Sequence, residues 1–237
     1  MPDFSRLSIA ELKHMAKAGA EALECVRVLE KTGDNLVGEL LRGQGTYYEW
    51  NHYPDGDVFD GESHAQYYYH AHPKEERPGE HGHFHTFLRP KGMPPGMKPS
   101  DIGGTELPAG DNDALSHIVA ISMDSRGAAI ALFTTNRWVT GETWYAADDV
   151  IRMVDLFRVD QARPSWPVNR WITAMIRLFR PQIVDLLRRR DDSIASWKLG
   201  HIESYVFEDR RIEITSQIAI SVPDQIRSIQ AALAGGT

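Results

Sequence analysis

The chain has 237 residues, 42% of them hydrophobic and 25% charged, enough for a sizeable core in one large domain or two small ones. A net charge of -7 argues against a general nucleic-acid binder, because such binding rests on clustered Lys and Arg that neutralise phosphates. The single cysteine, Cys25, excludes an internal disulfide and a Cys-based zinc knuckle, so any metal here must be held by histidine and carboxylate.

The amino terminus, MPDFSRLSIAELKHM, lacks the basic start and continuous apolar stretch of a secretory signal, and no apolar run is long enough to span a bilayer. A cytoplasmic location with no membrane partner is expected. Ser8 and Glu11 form a capping-box pattern, and Leu12, Met15, Gly19, Leu23, Val26 and Leu29 follow at helical spacing, predicting a helix over about 9–31. Asp34 can cap a shorter helix through Leu36, Val37, Leu40 and Leu41, ended by Gly43. TYYEWNHY, HAQYYYHAH and HGHFHTFL are then aromatic-rich with a period near two, separated by the turn compositions PDGD and PKEERPG.

Residues 89–114 are dominated by Pro, Gly and Asp without periodicity and predict a long irregular connection, expected to cover the histidine-bearing strand it leaves. SHIVAISMD and GAAIALFTT predict a hairpin around Ser125 and Arg126. Residues 148–158 are helical by spacing, as are 168–190, with Pro181 kinking or dividing the latter. RRRDD at 188–192 has the cations of a helix carboxyl end. SYVFE and RIEITSQIAIS predict a closing hairpin across Asp209 and Arg210, and Pro223 starts a last helix ending near Gly235. The predicted class is α+β: an antiparallel sheet of about seven strands flanked by helices at both ends of the chain. The whole of 1–237 reads as one domain, with N-terminal helices at 8–43, a histidine-rich sheet at 46–135, and C-terminal helices and a hairpin at 146–235.

Five of the ten histidines, His70, His72, His81, His83 and His85, fall within sixteen positions. In strands, His81, His83 and His85 share one face, and His70 and His72 share a face with Tyr68. If the two strands pair with His72 opposite His81, then His70 faces His83 and Tyr68 faces His85. Alternate strand residues lie about 6.6–6.8 Å apart, a separation from which two imidazoles, but not three, converge on one ion. The favoured ligands are therefore His83 and His85 with His70 as third, and His72 and His81 as alternatives. His117, in phase with Val119, Ile121 and Met123, can complete a three-histidine site. His52 and His64 are weaker neighbours, and His14 and His201 are isolated. Glu80 is out of phase with His81 and His83, so the predicted shell is all histidine.

HGHFH is similar to the two-histidine strand of animal-type carbonic anhydrases, in which HxH on one strand and a histidine on the next hold zinc, but the likeness is confined to these residues. Cupins also carry HxH on a strand, with a glutamate that HGHFHTFLRPKG lacks. No HExxH, P-loop, GxGxxG or GxSxG motif is present. Arg137, Trp138 and Trp144 can recognise a carboxylate and an apolar group of a small substrate. The pattern predicts a mononuclear transition-metal site of iron, copper or zinc acting on a small organic molecule. Tyr68 beside it as a catalytic group suits an oxygen-activating oxidoreductase. The alternatives are zinc-dependent hydrolysis or hydration, and a non-catalytic metal-binding or sensing protein.

Overall fold

The computed structural model describes residues 4–104 and 106–235. The helix α1 spans Ile9–Glu30 and opens with the capping box read from the sequence: Glu11 N–H donates to the Ser8 hydroxyl, and Ser8 N–H donates to the Glu11 carboxylate. Its buried stripe of Leu12, Met15, Ala18, Ala22, Cys25 and Leu29 has helical period. Gly19 lies on the same stripe because α7 (Val222–Gly235) crosses there, and a Cβ at this position would lie 2.8 Å from Ile226. Asn35 caps α2 (Leu36–Leu41) by accepting N–H donors from Val37 and Gly38.

Six strands form one antiparallel sheet among the described residues, in sequential order: β1 (Tyr53–Phe59), β2 (Ala65–His70), β3 (Gly82–Leu88), β4 (Ser116–Met123), β5 (Ala129–Thr135) and β6 (Ile214–Ala219). Between β5 and β6 the chain makes α3 (Arg137–Thr140), α4 (Ala147–Val154), α5 (Trp166–Leu178) and α6 (Arg180–Gly200). This is the α+β arrangement expected, with helices at both ends of the chain. None of the described helices is long and apolar enough to cross a membrane.

Three segments depart from the sequence reading. TYYEWNHY is irregular because Trp50 takes a positive φ of 69° and the Tyr53 hydroxyl accepts the Tyr48 N–H at 2.6 Å. Strand β1 begins only at Tyr53 and contains the PDGD expected as a turn, with an irregularity between Tyr53 and Val58 where Gly56 and Asp57 have positive φ. SYVFE is no strand: Val206–Glu208 is a 3-10 turn, and the Asp209 carboxylate gathers Trp197, Ser204 and Arg211 around the segment. Helix α6 also outruns its RRRDD segment by two turns, because Ile194 buries against Trp144, Val206, Phe207 and Ile212 and Trp197 bonds Asp209. Pro181 divides rather than kinks: α5 ends at Leu178 and α6 restarts with the proline in its first turn.

The sheet has two unlike faces. One carries Tyr67, Tyr69, Phe84, Leu88, Val119 and Ile121 into the main core under α1 and α5; the Tyr67 hydroxyl donates to Asn169 at 2.5 Å, and Phe84 meets Trp171. The other carries Gln66, Tyr68, His70, His83, His85 and Phe133. Every residue of β2, β3 and β4 is nonetheless buried, so this polar face is enclosed as well.

Candidate metal centre

Strands β2 and β3 pair in the register that brings the histidines together: His70 opposite His83, Tyr68 opposite His85 and Gln66 opposite Phe87. The Nε2 atoms of His70 and His83 stand 2.7 Å apart. His72, just past β2, turns back to the pair, and one ligand nitrogen from each of His70, His72 and His83 falls within 4.8 Å of the others. Two nitrogens on a tetrahedral ion with bonds of 2.0–2.1 Å lie about 3.4 Å apart, so a small opening of the His70–His83 pair suffices to seat one. These three buried or half-buried histidines could hold a metal ion.

The far side of the rings supports that assignment. The Glu80 carboxylate accepts Nδ1–H of His83 at 2.7 Å, and Glu76 lies 3.2 Å from Nδ1 of His72. A carboxylate on Nδ1 fixes the tautomer and leaves the Nε2 lone pair for the ion, the usual arrangement behind metal-bound histidine. Arg77 in turn lies 3.9 Å from Glu80 and stacks over Phe133. Burial pushes the His83 imidazole down to about 4, against the pull of Glu80, and burial together with His83 and His72 lowers that of His70. Burial thus disfavours the imidazolium of both rings; with Nδ1–H of His83 on Glu80, the Nε2–H of the close pair belongs to His70, and seating an ion requires that proton to shift to Nδ1.

The remaining candidates sort by geometry. His85 is fully buried and flanks the triad, its ring centroid 4.7 Å from that of His83 and 5.2 Å from that of His70, and its Nε2 has no partner among the described residues. His117 does not share a face with Val119 and Ile121. An extra residue, Ile118, bulges from β4 between the Thr86–Val119 and Phe87–His117 pairs and moves His117 onto the histidine face. There its Nε2 lies 3.0 Å from Nδ1 of His85, so it serves His85 rather than the triad. His81 is not in the ladder: it precedes β3 and meets the Tyr69 hydroxyl at 2.6 Å, on the opposite face from His83. Tyr68 lies in ring contact with His70 and His85, and His52 stacks flat on it at 3.6 Å.

Two clefts bear on the site, and only the first reaches a histidine of the triad. One of about 690 Å³ reaches His72 and is walled by Glu76, Arg77, Trp197, His201 and Glu213. His201, isolated in sequence, is placed there by α6 and stacks on Trp197 at 4.0 Å. The second, of about 380 Å³, lies between loop residues 99–104 and 106–108 and the segment Gly141–Trp144. The irregular connection 89–114, in which residue 105 lies outside the described residues, therefore bounds the second cleft and not the one at His72. Arg137 and Trp144 line this second cleft, whereas Trp138 donates its Nε1–H to Ile212 O and is covered by Arg210.

Sequence spacing missed three carboxylates. Glu76 and Glu80 are on no strand and reach their histidines because the turn 73–80 folds back. Glu142 is 1% exposed; one oxygen accepts the His117 backbone N–H at 2.8 Å, and burial pushes its carboxyl up to about 7 despite Arg190 and Arg137.

No curated protein and no solved structure matches the chain. Residues 16–220 match the family described as a domain of unknown function (DUF6969), a span that takes in α2 to α6, the whole sheet and every histidine of the centre. The chain belongs to that family.

Proposed function

We propose that the protein is a metal-dependent enzyme in which His70, His72 and His83 hold one transition-metal ion and a small organic molecule approaches through the cleft at His72. The observation that carries this reading is the convergence of three imidazoles, two of them backed by carboxylates on Nδ1. Three protein ligands leave at least one coordination position open, the arrangement of catalytic rather than structural sites. A bound ion would supply Lewis-acid or redox chemistry there. The protein's own contribution is a dry, aromatic wall: Tyr68, Phe87 and Phe133 exclude water beside the rings, and burial keeps the Tyr68 phenol protonated.

A phenol in contact with two imidazoles of the cluster favours an oxygen-activating oxidoreductase with iron or copper, with Tyr68 as the hydrogen or electron donor. The absence of a carboxylate from the three-imidazole shell favours a second reading, zinc-dependent hydrolysis or hydration. Reconstitution of metal-free protein with each ion, followed by oxygen consumption with a reductant present, separates them. The first reading expects uptake with iron or copper only, reduced at least tenfold in Tyr68→Phe. No uptake above free ion with any metal would remove it and leave the zinc reading.

A further inference from the structure

The cleft between loop residues 99–104 and 106–108 and the segment Gly141–Trp144 lies outside the triad and is lined by Glu142, a buried carboxyl with one unpartnered oxygen. Glu142 uses one carboxylate oxygen on His117 N–H; the other is buried without a partner among the described residues. Arg190, the strongest opposing charge on Glu142, bonds Tyr145 O and Asp191 and makes no ion pair with Glu142, while its Nη1 is itself buried without a partner among the described residues. A buried carboxylate oxygen with nothing to accept from is costly, and such groups in native proteins are met by water or a ligand.

The lining gives the sign and shape of that ligand. Asp101 and Glu106 stand at the rim with Glu142 below, against two guanidiniums: Arg137, which pairs with Glu208, and Arg190, which lies over the Trp144 ring behind the wall. A carboxylate ligand of the kind expected for Arg137 and Trp144 would meet three carboxylates of this lining against those two guanidiniums. An inorganic cation is not matched either, because the one cluster with metal-ligating spacing among the described residues is His70, His72 and His83. Apolar walls from Ile102, Leu107, Pro108 and Trp144 require a carbon body.

We propose that this cleft binds a small organic ammonium, its N–H donors on the free oxygen of Glu142 and its apolar body against Leu107 and Trp144. At about 380 Å³ the space fits a molecule of amino-acid size.

Calorimetric titration of the full chain with 3-methylbutylamine, and with 3-methylbutanol as its uncharged counterpart, tests this. The amine is expected to saturate one site, the alcohol to bind about ten- to hundredfold more weakly, and Glu142→Gln to lose the amine by a similar factor. His83→Ala is expected to keep amine binding, so that failure of the metal reading leaves this one standing. The amine and alcohol comparison on unaltered protein needs no variant to fold. Equal binding of amine and alcohol, no saturable binding of the amine, or undiminished binding by a folded Glu142→Gln protein would each overturn the proposal.

Discussion

At the scale of single residues, burial of the imidazoles sets the chemistry of the face. His83 gives up hydration as a cation and keeps one strong acceptor, Glu80, so its lone pair is fixed toward His70. Glu80→Gln removes that acceptor's charge at constant shape. It is expected to weaken metal binding about ten- to hundredfold while the far-ultraviolet circular dichroism stays unchanged, as measured by competition with a coloured chelator. Unaltered affinity would mean that the carboxylate does not orient the ring. His117 gives a second test, on stability. Burial lowers its folded value to about 3 from an ordinary 6.5. A base with a depressed folded pKa contributes stability fully above its unfolded value, and the contribution is lost as pH falls from 6.5 toward 3. His117→Gln should therefore flatten the fall in denaturant midpoint over that range, and an unchanged slope would contradict the assignment.

Among the elements, β2 and β3 were readable because histidines at alternate positions, in HAH and HGHFH on either side of a turn, allow one face to be polar and the other to be core. A slipped register would put imidazoles against Trp171 and Asn169. The β4 bulge was not readable, since nothing in SHIVAISM distinguishes an inserted residue from regular alternation. What holds it is Thr86, whose hydroxyl donates to Val119 O at 2.6 Å and accepts Val119 N–H. Thr86→Val keeps the volume and deletes both bonds. A loss of about 1–3 kcal/mol in chemical denaturation is expected, with the His117 imidazole resonances shifted. A neutral effect would show that strand pairing alone sets the bulge. The connection after β3 is fastened at its base by Arg89 to Asn112 and Asp113 and by Lys91 to Asp111. Replacing residues 92–110 by a short flexible linker should leave metal content intact and abolish amine binding, because the segment walls the second cleft only.

For the whole molecule, the sheet, its histidine hairpin and the helices at both ends follow from local period and caps. The partners of the site do not: Glu76 and Glu80 are near their histidines in sequence but are aimed at them by the turn 73–80, and the others are long-range. Glu142 reaches His117 across 25 residues, and Trp197 and His201 arrive on a helix whose length is fixed by Ile194 and Asp209. On the enclosed histidine face of β2 and β3, His70 and His83 together with His72 could hold one ion, which is the central claim of the proposed function. The direct test is metal titration of tag-free protein with elemental analysis, alongside His70→Ala, His72→Ala, His83→Ala and His201→Ala. The account predicts about one ion per chain in the unaltered protein and in His201→Ala, and none retained by the three triad variants. Several weakly held ions, or equal metal content in all four variants, would contradict it.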